Sequence, residues 1–255
     1  MRHNEFRQRL DRLQQVLTRG LAYYTVWKNL RLHDPSKVSW SLEEQNEVLG
    51  RFRGFITPVT LALLDMTLME FAKVFDKDPK TASLTNLLAA ARQDTTLIPR
   101  ASAGDVNEIS AQLRQSKRIR AELKRMRDQQ LAHVDIEPLP VGPIQNTELD
   151  KLVDDVKSAF NSLSTAHDGR VVSWEYSLQT ADRDTTEVLR VFIEEIKRRQ
   201  KEHDDEMVGI GLEAIRSQQT HLGRRLENGE LRSIKQSYGL TDEEMQRIEE
   251  QYGSS

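Results

Sequence analysis

The sequence predicts an all-α protein, an elongated bundle of amphipathic helices followed by a helical C-terminal extension. Three observations carry this. Hydrophobic residues make up 37% of the chain and charged residues 30%, a balance too lean for a thick core but sufficient for helices that each bury one stripe. Apolar residues recur three and four positions apart along most of the 255 residues, the helical period. There is no cysteine, which excludes a disulfide framework, a thiolate nucleophile and a zinc site built on sulfur.

The elements follow in order. Phe6, Leu10, Leu13, Leu17, Tyr24 and Trp27, with Gly20 and Leu21 on the same face, predict a first helix ending near Leu30. "HDPSK" breaks it. Ser41, three residues before Glu44, has the pattern of a capping box and opens a run to Val74 that Pro58 is expected to kink or divide. "TASLTNLLAAARQD" reads as a short helix. From Asp105 a single long helix is expected to about His133, before the three prolines of "IEPLPVGP" forbid more. Thr147 begins a helix through Leu149, Leu152, Val153, Val156 and Phe160, and Asp184–Arg199 forms another. Two stretches alternate with a strand period instead: Val38, Trp40 and Leu42, and Val172, Trp174, Tyr176 and Leu178. They leave room for a short two-stranded ribbon, the other option being an extended loop with its tryptophans on the bundle. The composition shifts at "KRRQKEHDDE", so two segments are expected: a bundle over 1–196 and a charged helical extension over 197–255 that packs weakly or serves a partner.

The totals also limit function. With a formal net charge of −3, the molecule as a whole is no polyanion binder, and nucleic-acid contact must come from a local patch. The N-terminus lacks the apolar segment of a signal peptide. Phe55–Val74 is apolar but interrupted by Thr57, Pro58, Asp65, Glu70 and Lys73, so a buried helix is expected there and not a membrane span. A cytoplasmic location follows as the expectation. No metal site is expected. None of His33, His133, His167, His203 and His221 has a glutamate three residues before it, as a di-metal carboxylate bundle requires. There is no HExxH, and the acids around His203 read as a solvated helix face. Phosphate loops of GxxxxGK[ST] type and a GxSxG elbow are also missing, and no cofactor is expected.

One region stands apart. Between Ile109 and Arg127 lie seven basic residues and one acid, Glu122. Arg114, Lys117, Arg120, Lys124 and Arg127 fall at steps of 3, 3, 4 and 3, which puts them along one helix face. Ile109, Leu113, Ile119, Leu123 and Met126 form an apolar stripe beside it. Such a line can hold phosphates, releasing a counterion for each one neutralised; a solvated helix face is the plainer reading. The line ends in "RMRDQQLAHVD", Arg125 to Asp135. Arg-x(4–6)-His spacing alone discriminates nothing, because Arg198 with His203 and Arg216 with His221 also satisfy it. On a straight helix Arg127 and His133 stand about 120° apart around the axis, so they meet only if the helix ends or re-forms between them, with Asp128 as a cap, or if two chains contribute. RNA carries its own nucleophile, the 2′-hydroxyl. A histidine that titrates near neutral pH and an arginine that stabilises the phosphorane-like charge are the groups its cleavage needs.

"RDQQLAHVD" resembles the Arg-polar-x(2–4)-Ala-His signature of the HEPN superfamily, in the branch related to the AbiU2 abortive-infection proteins. "FRGFITPVTLALLDMTLMEFAKVFDKDPKTASLTNLL" resembles that branch's long helix, "FD" turn and "SL..LL" segment, and "ELDKLVDDVKSAFNSLS" its later helix. The likeness covers roughly residues 6 to 195. It implies a helical bundle that forms a homodimer and acts as a metal-independent endoribonuclease on RNA, in antiphage defence or with an antitoxin or regulatory partner. Carried over, Arg127 and His133 are the catalytic residues, with Asp128 orienting them. The basic line of Arg114, Lys117, Arg120 and Lys124 would serve as the RNA track, a role the resemblance itself does not assign. Members paired with a nucleotidyltransferase antitoxin have a tyrosine two residues after the histidine; here Asp135 stands there. A module that binds RNA or protein without cutting is the alternative.

Overall fold

In the computed structural model, residues 1–31, 46, 49–128 and 144–253 are described. They fall into two compact units, Met1–Leu189 and Arg190–Ser255. The helices are α1 (His3–Arg31), α2 (Arg53–Val74), α3 (Leu84–Gln93), α4 (Ala103–Gln115), α5 (Lys117–Met126), α6 (Asn146–Asp168), α7 (Trp174–Leu222), α8 (Asn228–Tyr238) and α9 (Asp242–Gly253).

In the first unit, the predicted stripe of α1 is buried from Phe6 through Leu10, Leu13, Leu17, Leu21 and Tyr24 to Trp27. Gly20 lies on that stripe because α2 crosses it closely: a Cβ there would sit 3.0 Å from Cβ of Glu70. Glu70 is itself buried, and its carboxylate is held by Lys73 at 2.8 Å and Arg19 at 3.3 Å, so its charge is compensated. Leu84, Leu87, Leu88 and Ala91 of α3 and Leu149, Leu152, Val156 and Phe160 of α6 complete the core. Ser83 caps α3, accepting from the Asn86 backbone N–H, and α6 stops at Gly169, whose φ of +82° suits glycine.

Several expectations change here. The run ending at Val74 is interrupted at Phe52, and α2 passes through Pro58, its sixth residue, unbroken, with the one backbone bond to the Gly54 carbonyl forgone. The expected burial of α2 holds only toward its C-terminus. Among the described residues it is the one helix long and apolar enough to cross a membrane by length and composition, yet only 28% of that window is buried. Phe55 and Leu61 are 60% and 58% exposed. Hydropathy reports an apolar face without saying what covers it. The ribbon fails at its second half, since Trp174, Tyr176 and Leu178 lie in α7. Trp174 and Leu178 are buried and Tyr176 exposed. Those two buried positions are four apart, so they fit the helical period as well as the strand period. The first half, residues 38–42, and the Ser41–Glu44 cap lie outside the described residues. The helix expected over Asp184–Arg199 is an internal part of the 49-residue α7.

The second unit has a small core of its own: Val208, Ile215, Leu226, Leu231, Ile234, Leu240, Met245 and Ile248. At Gly211 of α7, a Cβ would lie 2.4 Å from Cδ1 of Ile248, so the missing side chain admits α9. Its apolar anchors, sparse when read along the chain, come together from α7, α8 and α9 and from the turns that hold Leu226 and Leu240.

Candidate nucleic-acid interface

The predicted helix from Asp105 to His133 is two helices. Ser102 opens α4 with a capping box, Asp105 returning a bond to the Ser102 backbone N–H. The chain breaks at Ser116, with neither proline nor glycine present. Instead the Ser116 hydroxyl, buried, donates to Oδ2 of Asp155 on α6 at 2.7 Å. Gln112 and Lys151 approach the same carboxylate at 3.3 and 3.4 Å. A serine mid-run can trade the helical path for a side-chain bond, and here a buried carboxylate fixes the trade. The apolar stripe survives the break: Ile109, Leu113, Ile119 and Leu123 are buried and Met126 is partly so.

The basic line also survives. Arg114 of α4, Lys117, Arg120, Ala121 and Lys124 of α5, then Arg127 and Asp128, line a groove of about 650 Å³. Its other wall is the end of α2 and the turn beyond: Ala72, Phe75, Asp76 and Lys77. All five predicted basic residues therefore face one space. Their pairing sorts them from their neighbours. Arg118, off the line, is paired with Glu148, and Arg125 with Glu122 at 3.2 Å. Arg114, Lys117, Arg120 and Lys124 have no carboxylate partner among the described residues. The acids that line the groove, Asp76 and Asp128, both contact Arg127, so among the described residues the cations from Arg114 to Lys124 concentrate positive charge on this wall.

Arg127 sits where the groove meets the α2 turn. α5 ends at Met126 and the backbone widens into a π-type turn at Arg127 and Asp128. Arg127 donates from Nε to Asp128 Oδ1 at 2.7 Å and lies 3.2 Å through Nη1 from Asp76 Oδ2. The Asp128 hydrogen bond, followed by the charges of Asp128 and Asp76, pushes the guanidinium above its ordinary range. An arginine has five N–H donors, so these two contacts leave others for a phosphate. Arg120 differs: it is half-buried, and burial pulls its guanidinium below the usual value. Its guanidinium carbon lies over the Phe75 ring, 4.3 Å from the centroid, and Nη1 donates to the Leu113 carbonyl at 3.2 Å. His133 lies outside the described residues, as does Asp135, so only Arg127, Asp128 and the basic line have a described position.

Asp76 and Phe75 were not singled out as site residues by sequence reasoning. Their only signal is the "FD" pair within the resemblance; nothing local indicates that a residue 51 positions before Arg127 meets it. His203 is exposed on α7, and of the acids near it Glu202 pairs with Arg198 and Asp205 with Arg247.

The three stretches that carried the resemblance now meet in one unit: the "FD" turn and the Arg127 turn form the groove, and α6 supplies Asp155 behind it. No curated protein matches the chain, and neither does any solved structure. A family model described as AbiU2, of the HEPN group, matches residues 3–189, a span that holds the groove and all but the first two residues of the first unit. The chain belongs to the AbiU2 family of HEPN domains.

Proposed function

We propose that the chain is a metal-independent endoribonuclease acting as a homodimer in antiphage defence or a toxin–antitoxin system, in the cytoplasm. The observation that carries the reading is the groove in which Arg114, Lys117, Arg120 and Lys124 lack carboxylate partners among the described residues and lead to Arg127. A polyanion laid along it neutralises charge that no described carboxylate pairs, and reaches the arginine of the family signature. In the reaction, His133 takes the proton from a 2′-hydroxyl. The freed oxygen attacks the adjacent phosphorus and the bond to the 5′-oxygen breaks, that oxygen taking up a proton from solvent, so that a 2′,3′-cyclic phosphate and a 5′-hydroxyl are left. Arg127, oriented by Asp128, stabilises the charge on the non-bridging oxygens. Dimerisation fits the large apolar side chains Phe55, Leu61 and Met66, exposed on α2, since such surface is commonly buried by a partner.

Growth of cells expressing the chain should arrest, and His133→Ala should relieve the arrest. RNA cut in the presence of EDTA should carry 2′,3′-cyclic phosphate ends. Equal toxicity of the variant, or loss of cutting with EDTA, refutes the mechanism. A module that binds RNA without cleaving it is favoured by one feature, the hold that two carboxylates already have on Arg127. It would keep salt-dependent binding and yield no product.

A further inference from the structure

Within that groove, Arg120 is unlike the cations beside it. Arg114, Lys117 and Lys124 are exposed and suit the loose capture of phosphates. Arg120 is half-buried with its Nε shut off from solvent and, among the described residues, without a hydrogen-bond partner, its guanidinium set over Phe75 and tethered to the Leu113 carbonyl. Desolvating a cation that pairs with no carboxylate among the described residues is unfavourable, and a phosphate contact alone would not require it. What such a planar, aromatic-backed cation suits is a π-face. The floor around it is apolar: Ala72, Phe75 and Ala121. A track for phosphates has no need of an apolar floor, whereas a base does. The volume of about 650 Å³ falls within the range of small-molecule sites, roughly 300–1,000 Å³.

We propose that Phe75 and Arg120, over the Ala72–Ala121 floor, seat one unpaired nucleobase while Arg114, Lys117 and Lys124 hold the phosphates beside it. The assignment rests on the RNA reading above and narrows its substrate to single strands or loops. In an A-form duplex the bases are stacked and unavailable to such a seat. The ligand chemistry is a nucleobase carrying a phosphate, which an RNA strand or a free mononucleotide could supply.

The test measures binding of the full chain by fluorescence anisotropy, using a short 2′-O-methylated strand that lacks the nucleophilic hydroxyl. A fully abasic strand of equal length, the matching duplex, and adenosine monophosphate as a separate titrant complete the set. The wild type should prefer the base-bearing single strand over the abasic strand and the duplex by roughly fivefold to a hundredfold, the range for one stacked base. Arg120→Lys keeps the charge and Phe75→Leu keeps the apolar bulk; each should erase the preference and leave the salt dependence unchanged. Thermal melts show whether Phe75→Leu stays folded, and if it does not, Arg120→Lys decides. Adenosine monophosphate binding that Arg120→Lys abolishes, with no preference among strands, supports the seat and assigns it to a free nucleotide. Equal binding of all strands without mononucleotide binding overturns it, as does a preference that survives both variants. Because the strand cannot be cut, a chain that binds this way yet never cleaves natural RNA refutes the nuclease and leaves the seat intact.

Discussion

Replacing Lys117 and Lys124 together by glutamine tests the groove most directly. Both are exposed and free of carboxylate partners among the described residues, as is Arg114. Each phosphate neutralised on a single strand contributes about −0.7 to the slope of log affinity against log salt, so three contacts give roughly −2. Raising salt fourfold should then weaken wild-type binding about twentyfold. With Arg114 alone remaining, the slope falls to about −0.7 and the same change costs less than about threefold. Arg127 adds little to this difference, because Asp76 and Asp128 already offset its charge. The assay is anisotropy with the uncleavable strand at several salt concentrations. An unchanged slope in the double variant, or a wild-type slope near zero, means the cations do not face phosphate and removes the basis of the groove assignment.

Other outcomes follow from single contacts. Ser116→Ala removes a buried hydrogen bond to a carboxylate and should destabilise the first unit by about 1.5–3 kcal/mol in urea unfolding; a loss under about 0.5 kcal/mol would mean that Asp155 does not hold the joint. Asp76→Asn takes one negative charge from the groove beside Arg127 and should tighten RNA binding about twofold to fivefold, weaker binding being the contrary result. Glu195, bonded by Arg198 and Arg199, has its carboxyl lowered from 4.5 to about 2. A lowered carboxyl contributes stability that is complete above its ordinary value and is lost as pH falls toward 2. An NMR titration of its side-chain carbon should give a midpoint well below 4.5, and a midpoint at that value would show the pairing absent in solution.

Much of this was legible from residue order, and the rest failed for identifiable reasons. The stripe of α1 and the cap of α3 are local, and their periods match the buried positions. The basic line was visible too, because its steps of 3 and 4 survive a bend that leaves both helices on the same wall. The bend itself was not. Ser116 breaks the helix through Asp155, 39 residues later, and no local signal marks a serine whose partner is that distant. The strand reading of "VVSWEYSL" failed because two buried positions four apart satisfy both periods. Nor could hydropathy separate the covered end of α2 from its bare one. The site was half legible: its cations are consecutive on one face, whereas Phe75 and Asp76 arrive from another helix.

The joint at Ser116 makes the groove sensitive to chain length. Adding or deleting one residue between Arg114 and Lys117 would turn everything after it by about 100° around the helix axis, sending Lys117, Lys124 and Arg127 toward solvent or core while Arg114 stayed near its place. Composition and charge would be almost untouched, yet the electropositive wall would be dismantled. Relatives that keep the groove should therefore tolerate substitutions along these two helices far more readily than insertions between them.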